Sequence, residues 1–326
     1  MSDSRSAAGA QPVPVHVVTG FLGAGKTTLL NRLLSGQHGA RIAVLVNEFG
    51  AVPIDGRLVV SSCEELIELA NGCVCCTIRG DLAQALIDLF ARRRRLIRPR
   101  PIDRVVIETS GLASPGPVLQ TLIVEPELAD QARAAGVVAL AHGARIAEQL
   151  QQHGEAREQL GYADLILLNH TDRAVGDQLD RAEQAIREHN ALAQLERTAR
   201  AEIQPERVFD LRPLASANID PDAVHTPHTP GAGTVVLRSD QALDLHTLKL
   251  WLQFLATRRS HDIWRLKGVL SCRGEERSVV VQGVYQWLQI GPGDESPPAT
   301  SVLVLIGRDL DEAELRRGWR AVLRGT

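Results

Sequence analysis

A chain of 326 residues, 44% apolar and 23% charged, is long enough for two hydrophobic cores and has the composition of folded globular domains. A formal charge of -3 excludes a general polyanion-binding surface, so neither nucleic acid nor an anionic membrane is an expected partner. Five cysteines, three of them within four residues, exclude a secreted disulfide framework and fit a reducing cytoplasm.

The opening "MSDSRSAAGAQP" has neither a basic segment nor an apolar one, and residues 1–12 read as a loose tail. From there "VPVHVVTG", "ARIAVLVNE", "DRVVIETSG", "AGVVALA" and "ADLILLNHTD" are continuous apolar runs, the pattern of parallel strands buried on both faces. Between them "KTTLLNRLLSG", "DLAQALIDLFARRRR" and "DRAEQAIREHNALAQL" carry apolar residues at helical spacing and serve as crossovers, which predicts a doubly wound, mostly parallel α/β sheet. The run Arg92 to Arg95 ends a helix, where cations meet the dipole and face water. Pro, Gly and Thr then dominate "NIDPDAVHTPHTPGAGT", which marks a linker over 218–233 between a first domain at 13–217 and a second at 234–326. The second domain reads as a smaller α+β unit: strand "TVVLR", helix "ALDLHTLKLWLQFLATRR", strands in "IWRLKGVLSC", "RSVVVQGVYQWLQI" and "TSVLVLIG", and a closing helix "DEAELRRGWRAVL". No run reaches membrane-spanning length.

Gly20-x-x-x-x-Gly25-Lys26-Thr27 follows the first strand and opens a helix, the context in which this spacing specifies a phosphate loop. Glycines let successive N–H groups converge on a β-phosphate, Lys26 bridges β- and γ-phosphates, and the Thr27 hydroxyl suits magnesium. Lys26 is one of three lysines among 36 basic residues, so a compact ammonium survives here against a strong arginine bias. In "RVVIETSG" a strand ends in Glu108 and Gly111, a carboxylate able to reach magnesium or its water and a glycine whose amide can sense a γ-phosphate. "LILLNHTD" places Asn169 and Asp172 where GTPases read guanine, with His170 between them in place of the usual Lys; that exchange leaves ATP open as the alternative base.

Cys73, Cys75 and Cys76 are flanked by Asn71-Gly72 and by a helix start after Thr77, so they sit on a loop rather than in a core. A redox Cys-x-x-Cys pair is the other reading, without a thioredoxin-like setting. Metal binding accounts for the cluster best: two of the thiolates with water or a carboxylate such as Glu48, at the end of the second strand, make an open shell suited to release of Zn(II), Co(II), Ni(II) or Cu(I). The cluster lies between the phosphate loop and Glu108, the interval that answers to a γ-phosphate, so nucleotide and metal affinities are expected to be linked.

Taken together, "PVPVHVVTGFLGAGKTTLLNRLL", "NGCVCC", "IETSGLASPGPVLQT", "YADLILLNHTD", "RLKGVL" and "LVLIGRDLDEAEL" resemble the CobW-like family of P-loop GTPases, most of all its YjiA-like branch. The resemblance spans essentially the chain after its tail. It implies metal chaperones or metalloenzyme activators with weak GTPase activity and a client metalloprotein as partner. It also implies that Gly23, Ala24, Gly25, Lys26, Thr27 and Thr28 bind phosphates and magnesium, that Glu108 and Gly111 form the switch, that Asn169 and Asp172 read the base, and that the three thiols hold metal. By that resemblance the chain departs from the family at His170, at Leu140-Ala141-His142-Gly143, where the corresponding strand usually ends in Asp, and in a linker with only His225 and His228. Cys63, Cys272, His246 and His261 read as ordinary packing or surface positions, while Lys267 in "RLKG" points to a partner or a domain interface. The expected function is a slow GTPase with GTP, Mg2+ and Zn2+ or Co2+ as ligands; a metal sensor with structural nucleotide and a P-loop kinase are the alternatives.

Overall fold

The computed structural model describes residues 11–36, 39–47, 66–68, 77–94, 102–211 and 232–325. The expectations placed on Glu48, Cys63, Cys73, Cys75, Cys76, Arg95, His225 and His228, and most of those on the tail and linker, lie outside the described residues.

The first part of the chain runs β1 (Val13–Gly20), α1 (Lys26–Ser35), β2 (Ile42–Asn47), β3 (Leu66–Glu68), α2 (Thr77–Arg94), β4 (Arg104–Thr109), α3 (Gly116–Val124) and β5 (Ala132–His142). It continues through α4 (Ile146–Gln152), α5 (Gly154–Tyr162), β6 (Leu165–Asn169), α6 (Gln178–His189), β7 (Gln194–Arg197) and α7 (Pro205–Phe209). The seven strands form one all-parallel sheet in the order β3-β2-β4-β1-β5-β6-β7. Consecutive residues are buried because helices cover both faces: Val105 and Ile107 share a core with Leu82, Leu86 and Leu119, whereas Val106 packs with Leu29, Leu33 and Val138 on the other side. That two-sided burial is the physical meaning of the uninterrupted apolar runs.

One crossover is shorter than its periodicity predicts. The helical pattern continues through Leu195, but α6 stops at His189 and Gln194–Arg197 becomes the edge strand β7. Asn190 is the cause: its amide donates to the carbonyls of Leu160 and Ala163, while its oxygen accepts from the N–H groups of Leu192 and Ala193. A side chain that satisfies four backbone groups outcompetes another helical turn.

The second part runs β8 (Gly233–Ser239), α8 (Leu245–Arg258), β9 (Ile263–Leu270), β10 (Val279–Val284), β11 (Trp287–Pro292), β12 (Ser301–Gly307) and α9 (Glu312–Arg324), an antiparallel sheet in the order β11-β10-β9-β12-β8. Asp244 and Asp311 cap the two helices by accepting from Thr247 and Glu314 amides. One face of this sheet, with Leu237, Leu266 and Leu305, packs on Leu248, Leu252 and Trp319 of α8 and α9. The other, with Val236, Val302, Val304 and Trp264, joins the same core as Val105 and Leu119. The two sheets therefore share a buried apolar interface. No described helix is long and apolar enough to cross a membrane.

Lys267 lies in that interface. Its ammonium and the Arg265 guanidinium both bond Asp164 Oδ1, at 2.6 and 2.7 Å, and the Val137 amide donates to Asp164 Oδ2 at 2.9 Å. Cys272 is buried beside β9, and His246 and His261 are exposed on a helix and a turn, as their bland readings expected.

Candidate functional site

The site forms at the carboxyl ends of β1, β4, β5 and β6. β1 ends in Gly20, and the loop to α1 places Gly20, Gly23 and Gly25 at φ of 136°, 74° and 106°. These are left-handed conformations that only glycine adopts without strain. Space forbids a side chain as well: a Cβ on Gly20 would lie 2.4 Å from the Leu140 carbonyl oxygen, and one on Gly25 2.4 Å from Asn169 Nδ2. The loop is thus wedged between β5 and the turn after β6. Lys26 opens α1 and its ammonium donates to the Gly20 carbonyl at 2.8 Å, closing the loop on itself. Thr27 and Thr28 stand exposed in the first helical turn, and Ala24 is buried beneath the loop.

Parallel pairing brings the second element to the same place. Val18 and Val46 are both in register with Glu108, and the Thr109 hydroxyl donates to Thr19 Oγ1 at 2.9 Å. Glu108 is 8% exposed, and the Thr27 hydroxyl donates to its Oε1 at 3.4 Å across 81 residues. A hydroxyl and a carboxylate beside a phosphate-sized loop make a hard oxygen donor set, the chemistry that suits magnesium. Gly111 follows, with its Cα so close to the loop that a Cβ would meet the Leu22 side chain at 2.5 Å.

Sequence reasoning missed what holds that segment. Gln159 of α5, 1% exposed, donates through Nε2 to the carbonyls of Gly111 (3.1 Å) and Ala113 (3.0 Å). Its neighbour Glu158 accepts from the Ser114 hydroxyl at 2.6 Å and from the Tyr285 hydroxyl at 3.0 Å, Tyr285 lying in the turn between β10 and β11. "GEAREQLGY" looks like any polar helix, and no spacing signal marks these two positions.

The β6 end gives Asn169 a structural role. Asn169 is fully buried: its Nδ2 donates to the Ala24 carbonyl at 2.8 Å and its Oδ1 accepts from the Ala201 amide at 2.8 Å. It ties the phosphate loop to the loop after β7, where Arg200 and Ala201 adopt φ of 53°. Asp172 remains exposed in the 3-10 turn Thr171–Arg173, free to face a ligand's N–H groups. That turn is moored by Thr171, whose hydroxyl donates to the Thr198 carbonyl. His170 bonds the Gly23 carbonyl through Nε2 at 3.2 Å.

Of the residues expected at the site, the structure brings together Gly20, Gly23, Ala24, Gly25, Lys26, Thr27, Glu108, Gly111 and Asn169, with Thr28 and Asp172 at its rim. Among the described residues no group of three or more His, Cys, Asp or Glu is placed to hold a metal ion. The described chain borders the expected metal donors in sequence at two points. Asn47, which precedes Glu48, is in register with Thr109, and Thr77, which follows Cys76, begins α2. Leu82, Leu86 and Leu89 of α2 pack in one core with Val118, Leu119 and Leu122 of α3, the helix that follows Gly111.

Comparison with known proteins agrees with this arrangement. Residues 14–197 match the family described as CobW/HypB/UreG, nucleotide-binding domain, and residues 232–323 match the cobalamin synthesis protein cobW C-terminal domain. The chain is 33% identical to the zinc chaperone YjiA of Escherichia coli (strain K12), over 94% of this chain and 97% of that one. It is also 33% identical to the zinc chaperone CobW of Pseudomonas aeruginosa, over 95% and 92% of the two chains. A zinc-regulated GTPase metalloprotein activator 1 of Schizosaccharomyces pombe is 28% identical over 92% and 83%. The crystal structure of Zn(II)-bound YjiA GTPase from E. coli superposes with a TM-score of 0.75 at 30% identity, covering 96% of this chain and 99% of that one.

Proposed function

The chain belongs to the CobW/HypB/UreG family, and from that premise we propose that it is a GTP-hydrolysing zinc chaperone or metalloprotein activator. Its ion sits on the loop of Cys73, Cys75 and Cys76, with Glu48 as a further donor. The observation that carries this reading is the junction of one glycine loop with two strand ends: Thr27 on Glu108, and Asn169 on Ala24. A P-loop alone fits many nucleotide enzymes; a loop tied to the turn that bears Asp172 fits one that reads a base.

In this reading Gly20, Gly23, Ala24 and Gly25 present backbone N–H groups to the β-phosphate, and Lys26 leaves the Gly20 carbonyl for the phosphate oxygens. Thr27, with Thr28 beside it, and Glu108 would hold magnesium, which neutralises phosphate charge when bound. Gly111 senses the γ-phosphate through its amide, Asp172 accepts from the guanine N–H groups, and Asn169 holds the two loops together. Water attacks the γ-phosphorus, the bond to the bridging oxygen of the β-phosphate breaks, and GDP and inorganic phosphate leave. No residue of the set supplies a general base, so turnover is slow until a client adds a group.

Metal coupling follows from the shared core of α2 and α3. A shift of the Gly111 segment on loss of the γ-phosphate moves α3, and α3 packs on the helix whose first residue follows Cys76. Zinc and GTP that favour one arrangement strengthen each other, and hydrolysis loosens the ion for delivery. The same reading divides the chain into a GTPase domain at 13–217, a linker at 218–233 and a second domain at 234–326. It also places the protein in a cytoplasm that keeps its thiols reduced.

Anaerobic titration of Zn(II) and Co(II) into the full chain with Mg-GTP, Mg-GDP or no nucleotide tests the proposal. Tighter uptake with GTP than with GDP is expected, and Cys75→Ser with Cys76→Ser should abolish tight uptake while nucleotide still binds. Equal affinity in every nucleotide state would leave a metal buffer, and phosphate transfer to an acceptor other than water would make the protein a kinase.

A further inference from the structure

His142 and His170 lie 28 residues apart in sequence and against each other in space. His142 ends β5 and is in register with Asn169 of β6, and the Gly143 amide donates to the Asn169 carbonyl at 2.7 Å. His170 follows in a left-handed conformation, φ 59°, which turns its side chain back over the phosphate loop. The two imidazoles stack with ring centroids 4.5 Å apart and planes 29° from parallel. On its far side the His170 ring bonds the Gly23 carbonyl. A chain of contacts therefore runs from β5 through two rings to the phosphate loop.

The hydrogen bonds fix the protons on both rings. A carbonyl only accepts, so His170 Nε2 carries hydrogen. The Ala144 amide donates to His142 Nδ1 at 3.3 Å, so that nitrogen is bare and His142 is the neutral Nε2–H tautomer.

We propose that His142 is a positioning residue of the nucleotide site, acting through its stack on His170 to hold the phosphate loop against the turn that bears Asp172. This assignment rests on the guanine-nucleotide reading above and adds to it a residue outside the expected site. Acid works against the pair. A proton on His142 Nδ1 meets the Ala144 N–H head on, and the new cation faces His170 across the stack, Arg145 on its own turn and Arg173 in the turn after β6. Burial first, then His170, Arg145 and Arg173, lower the readiness of His142 to take that proton, and they outweigh a bond to its own backbone that favours it. Once it does, the stack opens, His170 leaves Gly23, and the phosphate loop loses a brace.

The test is equilibrium binding of a fluorescent methylanthraniloyl-GDP with magnesium to the full chain between pH 8 and pH 5.5. Protonation of the nucleotide is common to every variant, so differences between them report the protein. Between pH 6.5 and 5.5 the wild type should lose about two- to threefold in affinity beyond the loss shown by His142→Phe, which keeps a flat ring and cannot titrate. His142→Asn, which keeps an acceptor for Ala144 but has no ring to stack, should bind about fivefold more weakly than wild type even at pH 7.5. A wild-type acid limb in His142→Phe, or wild-type affinity in His142→Asn, overturns the proposal. Long-range 1H–15N spectra of the wild type give a readout independent of variant folding: His142 should show the Nε2–H tautomer at pH 7.5, and an Nδ1–H form overturns the assignment. Lys26→Ala separates the two readings. It should abolish binding, and if it binds as wild type does, or if the wild type takes up no GDP, the guanine-nucleotide reading falls and the role of the pair falls with it.

Discussion

Replacing Asp164 by Asn keeps the shape of the residue that joins the two sheets and removes only its charge. Two cations then face a neutral amide in a place where the side chains of Asp164, Arg265 and Lys267 are 6%, 8% and 9% exposed. At an effective dielectric of about 20, a unit pair at 2.7 Å is worth ~6 kcal/mol before desolvation, and the cost of stripping one partner from a buried pair is about 3–5 kcal/mol. Asp164→Asn should therefore lose about 3–5 kcal/mol in urea unfolding followed by tryptophan fluorescence and circular dichroism. Lys267→Met should behave differently, because Asp164 keeps Arg265 and the Val137 amide. The asymmetry has a simple origin. Burial raises the Asp164 carboxyl, but Arg265 and then Lys267 outweigh it and hold the group below its ordinary range. Lys267 faces one anion and one cation: burial first, and Arg265 after it, push its ammonium down to about 8 against the pull of Asp164. The unfolded chain thus holds the Lys267 proton more tightly between pH 8 and 10.5, so wild-type stability should rise relative to Lys267→Met as pH climbs through that window. Lys267→Met at pH 7 should cost less than about 1 kcal/mol or stabilise. Equal losses in the two variants, or a loss below about 1 kcal/mol in Asp164→Asn, would refute the reasoning.

His16, fully buried on β1 against the Phe209 carbonyl, has its pKa lowered to about 4, first by burial and then by Arg104. The unfolded chain takes up more protons between pH 6.5 and 4, so stability should fall across that window by up to ~3 kcal/mol, and His16→Leu should flatten the slope of urea midpoints against pH. Asn169→Ala breaks the ties to Ala24 and Ala201 together; we expect ~1–3 kcal/mol of stability lost and GDP affinity reduced about tenfold or more, and unchanged affinity by fluorescence titration would deny Asn169 its bridging role. Glu158→Ala leaves the Ser114 and Tyr285 hydroxyls without their shared acceptor, and amide hydrogen exchange over residues 110–115 should speed up by about tenfold; exchange at the wild-type rate would show that this carboxylate does not restrain the segment.

The parts of this molecule legible in sequence are those set by local chemistry. β1 and the phosphate loop are announced by an apolar run followed by glycines at fixed spacing, and each of those glycines has a positive φ. The end of α6 is less legible, because the helical period runs on past Asn190 and only the carbonyls of Leu160 and Ala163, some thirty residues upstream, give its amide a better use. Lys267 stood out through the arginine bias of the composition, yet its partner Asp164 lies 103 residues away and carries no mark of its own. Asn169 is marked by its motif, but its tie to Ala24 and Ala201 is not, because the motif says where a side chain stands in the chain and not which way it turns. His142 and His170 were each visible as departures; that they form one unit follows from the register of β5 on β6, a fact of pairing rather than of spacing.

In the proposed nucleotide cycle the position of α5 would give the second sheet a role that its own sequence does not reveal. Gln159 holds the carbonyls of Gly111 and Ala113, and Glu158 holds Ser114, so the segment proposed to sense a γ-phosphate is braced from α5 as well as by its own strand. The same nine-residue helix meets Trp264 at Gly161, where a Cβ would lie 2.6 Å from the indole, and offers the Tyr162 carbonyl to Arg265. Glu158 bonds the hairpin turn at Tyr285 with the oxygen that it gives to Ser114. Movement of residues 110–115 therefore either breaks bonds to α5 or carries α5, and β9 with it. In both cases the free energy of the segment depends on where the second sheet sits, and linkage makes the dependence mutual. A client that binds the second sheet and shifts it by one side-chain layer would then change the nucleotide site without touching it.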